Sequence, residues 1–335
     1  MELTFIDGGV TAPKGFSAGG LHAGIRKNRS KKDVALIYCA RRCPAAAVYT
    51  QNLVKGAPIL VTRQHLRDGC AQAVICNSGN ANTCNADGEQ KARAMCEIAA
   101  GALGVSPEDV IVASTGVIGQ TLPIEPFYAA APRMKDSLSQ NGGADAAEAI
   151  LTTDTRKKEL AVRFSHGGAE YTLGGMAKGS GMIHPNMATM LVFLTTDAPV
   201  SSAALQKALR AAVEDTFNMI SVDGDTSTND MVSIMASGLA GGEEIGEASD
   251  AYRAFEAALA ALCGELAKLV AADGEGATKL LRCRVRGARD KTSAKKLARA
   301  VISSSLTKAA MFGADANWGR VLCAAGYAGA AFDPL

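Results

Sequence analysis

Residues 174–191 read GGMAKGSGMIHPNMATML, a glycine-rich stretch that leads through Ala188 and Thr189 into an apolar strand. Its glycines allow strained backbone geometries that other residues avoid. A threonine hydroxyl is a poor nucleophile near neutral pH and needs a base. An α-amine freed by a cut before Thr189 is such a base, because its reference pKa of about 7.7 to 8.0 leaves it substantially neutral. A cut between Ala188 and Thr189 would therefore give this threonine its own base, and the stretch looks like a self-cleavage site.

On glycine content alone, a turn before a buried strand is the simpler interpretation. The ordered string, however, resembles the Lys-Gly-Ser-Gly-Met-Ile-x-Pro-Asn-Met-Ala-Thr-Met signature of the ornithine acetyltransferase (glutamate N-acetyltransferase) family. Members of that family cut themselves before this threonine and use it as the nucleophile. The resemblance divides the chain into one half of residues 1–188 and a second half of residues 189–335. It covers nearly the whole chain, with further matches at residues 12–16, 77–82, 217–230 and 313–320.

The resemblance also implies roles for residues elsewhere in the chain. A strand-like run, residues 110–113, ends in a Ser-Thr-Gly turn that matches the family's oxyanion hole, which gives that role to Thr115 and Gly116. Substrate-binding positions fall on Thr155, Lys178, Thr189 and Glu275. A single ammonium suits an amino-acid carboxylate, and a carboxylate suits the ammonium of ornithine. Without the resemblance, each of these residues reads as an ordinary turn or surface residue.

The family activity implied is acetyl transfer from N-acetylornithine to glutamate, with ping-pong kinetics through acetyl-Thr189. No cofactor, metal or nucleotide is required, and the residues leave open whether acetyl-coenzyme A is a second donor. The family also implies an assembly with two copies of each half. Two alternatives remain open: a self-processed amidase or aminopeptidase that passes the acyl group to water, and a non-catalytic remnant of the fold.

Composition and charge narrow the class of protein. The 335 residues carry 35 Lys plus Arg against 33 Asp plus Glu, so no global field favours nucleic acid or a membrane. The acidic start and the lack of an apolar run near 18 residues argue against secretion or spanning a bilayer, which predicts a cytoplasmic protein. Nine cysteines, an odd number within apolar segments, fit buried thiols better than disulfides.

Other motifs carry weaker signals. Cys39 and Cys43 lack a second ligand pair at zinc spacing, and the Asp-x-Asp start at residues 223–225 lacks the glycine and glutamate of a calcium loop. We interpret residues 217–230 as a hydrogen-bonded scaffold near the active site. His184 is an alternative base for Thr189, which the α-amine makes unnecessary.

Strand and helix patterns alternate along the chain and predict an α/β or α+β protein. Short apolar runs predict strands at residues 34–39, 45–49, 59–61, 73–76, 110–113 and 191–194. Periodicity and capping residues predict helices at residues 88–103, from Ser201 or Ser202, at 249–272 and at 294–307. The topology is taken from the resemblance, which implies a layered αββα arrangement.

Family members continue beyond the Asn-Trp-Gly-Arg segment, and an asparagine and a following serine or threonine near their carboxy terminus complete the substrate pocket. Residues 1–335 contain no counterpart of these two ligands. We therefore expect poor or absent transferase activity from this 335-residue form, whether it is a fragment or a shortened variant.

Overall fold

The computed structural model describes residues 3–184 and 190–333. The strands in this part of the chain are β1 (Leu3–Ile6), β2 (Phe16–Leu21), β3 (Val34–Tyr49), β4 (Cys70–Asn77), β5 (Val110–Ser114), β6 (Lys158–His166), β7 (Ala169–Lys178), β8 (Leu191–Thr196) and β9 (Met231–Ala236). The helices are α1 (Ala57–His65), α2 (Gly88–Leu103), α3 (Glu125–Met134), α4 (Gly143–Ala149), α5 (Ser202–Asp215), α6 (Asp250–Ala272), α7 (Lys291–Ser303), α8 (Ser305–Phe312) and α9 (Trp318–Gly326).

The long strand β3 belongs to two sheets. Its first part pairs with β2 and β4, and β4 continues into a parallel pair with β5. Its last part pairs with β9, which begins the second sheet in the order β3-β9-β8-β7-β6-β1. The register shifts between Tyr38 and Cys43, and such an irregularity bends a strand. One strand thereby connects the two layers.

The two sheets pack face to face. Successive side chains of a strand point to opposite faces of its sheet, so alternate residues lie between the two sheets. From β3, Ala45 and Ala47 join an interior cluster with Ile111 and Phe193, whereas Ala46 and Val48 join the opposite face. Helices α1, α2 and α3 cover the outer face of the first sheet, and α5 and α6 cover that of the second. This confirms the predicted layered αββα arrangement of a mixed α/β protein.

Local signals predicted several helices closely. Helix α2 has the predicted bounds, and the side chains of Ser201 and Ser249 accept the capping hydrogen bonds of α5 and α6. The predicted stripe on α6 is buried, including Phe255 and Leu262.

Two predicted elements were wrong. Residues 59–61 lie in α1 and not in a strand, because Pro58 occupies its first turn, where proline favours a helix start, and a short apolar run does not distinguish the two states. The helix predicted at residues 294–307 is interrupted at Ser304. That residue has an extended backbone, and its hydroxyl accepts a hydrogen bond from Thr307 N at 3.2 Å, which starts α8.

Within residues 3–184 and 190–333, no helix combines the length and apolar character needed to cross a bilayer.

Candidate functional site

Several strand ends meet at one edge of the two-sheet core. Lys178, the last residue of β7, pairs with Leu191 at the start of β8, and Leu191 pairs with Met231 at the start of β9. Met231 N donates a hydrogen bond to Met190 O at 3.0 Å. The predicted cleavage pair, Ala188 and Thr189, lies outside the described residues. The chain that directly follows Thr189 is therefore held between β7 and β9.

Asn229 joins this edge to the first sheet. Its side-chain nitrogen donates to Ser114 O at 2.9 Å and to Ala81 O at 2.6 Å. Its side-chain oxygen accepts from the hydroxyls of Thr83 and Thr228, both at 2.6 Å. Because every polar atom of this buried amide is used, it fixes the end of β5 relative to the start of β9. The sequence predicted a scaffold here without identifying Asn229.

The turn after β5 contains the two residues predicted for the oxyanion hole. Thr115 N is occupied, since it donates to Asn77 O at 2.9 Å. The Thr115 hydroxyl and the Gly116 N–H make no hydrogen bond to any described residue. Both remain as donors for a ligand at this turn.

Gly116 occupies a position that other residues do not fit. Its φ is +125°, and a Cβ there would lie 2.7 Å from the carbonyl carbon of Gly79 and 2.8 Å from Asn80 N. Asn77 supports the facing loop, because its side-chain oxygen accepts from Gly79 N and Asn80 N, both at 3.0 Å.

A buried ion cluster lies beside Thr155. Lys158 is fully buried, and its ammonium lies 2.6 Å from a carboxylate oxygen of Asp154 and 2.6 Å from one of Asp273. Thr155 donates its backbone N–H to Asp273 at 3.1 Å and its hydroxyl to the other oxygen of that carboxylate. Burial raises the pKa of Asp273, but hydrogen bonds from Lys158 and Thr155 outweigh it and hold that pKa below its ordinary value. Thr155, which the sequence placed in the site, is thus positioned by Asp273.

Lys178 is a buried cation with 8% of its surface exposed. Burial lowers the pKa of its ammonium, and the nearby carboxylates of Asp154 and Asp230 oppose that shift. Asp154 is also held from the other side, because its carboxylate accepts from Gly179 N at 2.7 Å. The ammonium makes no hydrogen bond to a described residue. Its donors are therefore available to a ligand, unlike those of a solvated surface lysine.

Glu275 lies over the glycine-rich loop. Its backbone N donates to Ser180 O at 2.9 Å, and a Cβ at Gly181 would lie 2.5 Å from a carboxylate oxygen of Glu275. The side chain itself is exposed. Asp273, two residues earlier, connects it to the ion cluster that positions Thr155. The structure therefore brings Thr155, Lys178 and Glu275 together through Asp154 and Asp273.

His184 is engaged in other contacts. Its Nδ1 lies 3.0 Å from Ser221 Oγ, and Arg299 donates to its Nε2 at 3.3 Å. Burial, together with Arg299 and Lys308, lowers its pKa. With both ring nitrogens occupied, His184 has no free nitrogen to serve as a base.

Asp223 fixes the glycine-rich loop from the side of residues 217–230. Its carboxylate accepts from Met182 N at 2.6 Å and from Ile183 N at 2.9 Å. The loop predicted as a scaffold therefore contains this anchor as well as Asn229. No group of three metal-ligating side chains occurs among residues 3–184 and 190–333.

The fold and this polar site define a four-layer α/β protein whose functional groups lie where strands of both sheets end. The ArgJ family model matches residues 17–335, and the chain belongs to the ArgJ family. This confirms the family that the motifs predicted and classes the chain with the acetyltransferases.

Relatives of known name agree with that assignment. The arginine biosynthesis bifunctional protein ArgJ of Symbiobacterium thermophilum is 58% identical over 334 residues, which are 99% of this chain and 83% of the relative. That of Caldanaerobacter subterraneus is 49% identical over 332 residues, 99% of this chain and 82% of the relative.

Two solved structures are also similar. They are ArgJ from Bacillus halodurans (39% identity) and ornithine acetyltransferase from Mycobacterium tuberculosis in complex with ornithine (38% identity). Each has a TM-score of 0.52, with 56% of this chain and 100% of the solved chain covered.

Replacing Lys158 by Met should destabilise the fold strongly, because two buried carboxylates lose the cation that they share. Removal of one partner of a buried ion pair costs about 3–5 kcal/mol. Urea unfolding at neutral pH measures the change. The neighbouring exposed Lys157→Met is the matched control and should lie within about 0.5 kcal/mol of the parent. Equal stability of the two variants would contradict the importance of the cluster.

Proposed function

We propose that this chain cuts itself between Ala188 and Thr189 and then transfers an acetyl group from N-acetylornithine to glutamate. The observation that carries the proposal is Lys178, a buried ammonium without a hydrogen-bonded partner in the described chain. It pairs in the β-ladder with Leu191, two residues after Thr189. A free cation beside a candidate nucleophile suits a substrate that carries a carboxylate, as both N-acetylornithine and glutamate do.

The site supports each step of this reaction. Thr189 Oγ attacks the acetyl carbonyl while its own amine takes the hydroxyl proton. The Thr115 hydroxyl and Gly116 N–H stabilise the oxyanion. The carbon–nitrogen bond to ornithine breaks, and ornithine leaves with that proton on its nitrogen. The amine of glutamate then attacks the acetyl ester, which gives N-acetylglutamate and restores the Thr189 hydroxyl.

Substrate recognition combines opposite charges. Lys178 binds the α-carboxylate, Glu275 receives the ammonium of ornithine, and Thr155 contributes to the same pocket. Support comes from the Mycobacterium tuberculosis relative, which was solved with ornithine bound. The relatives are named bifunctional, which makes acetyl-coenzyme A a second donor to test in the same assay.

The cut divides the molecule into residues 1–188 and 189–335, and the two halves share one sheet. Six residue pairs join β7 to β8, and five join β3 to β9. The halves therefore remain associated through a buried ladder. Each of the two solved ArgJ-family chains matches 56% of this chain over its full length, about 188 of 335 residues, which equals the length of the proposed first half. An assembly with two of each half is the corresponding proposal for the oligomer.

An acetyl-enzyme experiment tests the function. The purified chain is incubated with N-acetylornithine, and the fragment that begins at Thr189 is analysed by mass spectrometry for one acetyl group. Because transfer needs the hydroxyl, Thr189→Ala should abolish the adduct and Thr189→Ser should retain it. Glutamate should discharge the adduct and yield N-acetylglutamate.

The other outcomes identify the alternatives. Discharge at the same rate with and without glutamate, and with acetate as the product, indicates an amidase. An adduct that is also formed by Thr189→Ala, or no adduct with any acetyl donor, contradicts the proposal and favours a non-catalytic protein.

Replacing Gly116 by Ala should slow acylation of Thr189 by p-nitrophenyl acetate, because the added Cβ displaces the oxyanion turn. A lost oxyanion donor costs about 100-fold or more in rate. Gly119→Ala is the matched control: Gly119 also has a positive φ of +78°, but a Cβ there would meet no atom within 4 Å. Similar rates for the two variants would remove Gly116 from the oxyanion hole.

A further inference from the structure

Asp230 has a buried carboxyl oxygen without a hydrogen bond. The residue is 2% exposed, and its Oδ2 has no partner among the described residues. Buried polar atoms are nearly always satisfied, so an exception calls for an explanation. The groups that act on this carboxyl are the hydroxyl of Ser227, in the preceding loop, and the ammonium of Lys178, on β7. Neither donates to Oδ2.

The position of Asp230 is fixed on both sides by the backbone. Its carbonyl accepts from Thr50 N at 3.0 Å. The next residue, Met231, donates to Met190 O and pairs in parallel with Leu191. Asp230 is therefore in register with Met190. Thr189 is covalently joined to Met190, and consecutive Cα atoms are about 3.8 Å apart.

Cleavage before Thr189 changes what this neighbourhood must hold. A peptide N–H becomes an amino group with additional hydrogens and, when protonated, a positive charge. Lys178 cannot accept a hydrogen bond from it, since an ammonium is only a donor. A carboxyl oxygen without a donor is the complementary group.

We propose that Asp230 is a positioning residue, whose free carboxyl oxygen accepts a hydrogen bond from the amino group of Thr189 and orients that amine toward the threonine hydroxyl. The assignment rests on the proposed cleavage and on Thr189 as the nucleophile. It adds a residue whose role is to hold the base of the reaction.

The electrostatics favour such a partner. Burial raises the pKa of Asp230 well above its ordinary value, and Lys178 only partly offsets this. The carboxyl therefore lacks a compensating cation before cleavage, and the new ammonium supplies one. In turn, a carboxylate stabilises the protonated amine and raises its pKa, typically by about 1 to 3 units for close opposite charges. The positive charge of Lys178, which also lies near Asp154, Lys158 and Cys76, lowers the pKa of the amine and so opposes this effect.

The charge of Asp230 sets the direction in which the pH dependence of the reaction should shift. Asp230→Asn removes the negative charge, so the amine loses its proton at a lower pH. The neutral amine is the base, and the acidic limb of the rate profile should therefore move to lower pH by about one unit. The plateau rate should fall as well, because the amine is less well oriented. A purely structural role would lower the plateau and leave the limb in place.

The experiment measures the rate of Thr189 acylation by p-nitrophenyl acetate between pH 5 and 9, with the site of the acetyl group located by peptide mass spectrometry. Asp230→Asn and Asp230→Ser both remove the charge, and the smaller serine serves if the asparagine variant does not fold. Asp230→Glu retains the charge and should restore the parent limb.

Asp197→Asn is the matched control. Asp197 is also 2% exposed and adjoins the other end of β8, but its oxygens accept from Thr172 N at 2.7 Å and Lys14 N at 3.1 Å. Loss of the Asp197 carboxylate should lower the stability of the fold without moving the acidic limb of the pH–rate profile.

The outcomes separate this inference from the proposed function. If the parent chain is not acylated at Thr189, the proposed function fails. If the parent is acylated and the acidic limb of the neutral variants stays in place, the assignment of Asp230 alone is overturned. A folded Asp230→Asn chain that remains uncut also overturns it, because Asp230 would then act in cleavage and not on the freed amine.

Discussion

The hydrogen bond from Met231 to Met190 is the contact on which the site depends. It starts the parallel pair of β8 and β9 at the residue that follows Thr189. On the other side, Lys178 pairs with Leu191. A chain held on both sides keeps its new end in place after a cut, because a ladder within a buried sheet is costly to open. The same contacts set the register that brings Lys178 and Asp230 to one edge.

Buried charge distinguishes the supporting part of the site from the reactive part. Lys158, Asp154 and Asp273 satisfy one another at 2.6 Å, so they provide structure and position Thr155. Lys178 and Asp230 are buried as well but lack such contacts with the described residues. Burial disfavours the ionised form of both groups, so it lowers the pKa of Lys178 and raises that of Asp230. Their polar atoms are therefore available to a substrate or to a new amino group.

The two sheets contribute different chemistry. The first provides the donors of Thr115 and Gly116, and the second provides the cation and the anchored start of β8. Asn229 connects the two parts with four hydrogen bonds. A displacement of one layer would separate the proposed oxyanion donors from the start of β8 and so from the proposed nucleophile, and small displacements of reacting groups have large effects on rate.

Sequence reasoning recovered the parts of this arrangement that are local. Helix α2 and the caps Ser201 and Ser249 follow from short-range patterns, and ordered motifs carried the family and the layered fold. The roles that those motifs give to Thr115, Gly116, Lys178 and Glu275 stay predictions. The features that the sequence did not predict depend on contacts between residues that are far apart in the chain. Asp273 is 115 residues from Lys158, and no spacing rule pairs them. The polar run at residues 226–230, directly before the fully buried β9, was the available signal for Asn229 and Asp230. The strand predicted at residues 59–61 was wrong because three apolar residues fit a helix equally well.

An intact mass of the purified protein under denaturing conditions tests most directly whether the chain is cut before Thr189. We expect two fragments that meet between Ala188 and Thr189, with masses that add up to the 34.5 kDa chain plus one water. A single uncut species of 34.5 kDa, stable on prolonged incubation, would contradict the proposed cut.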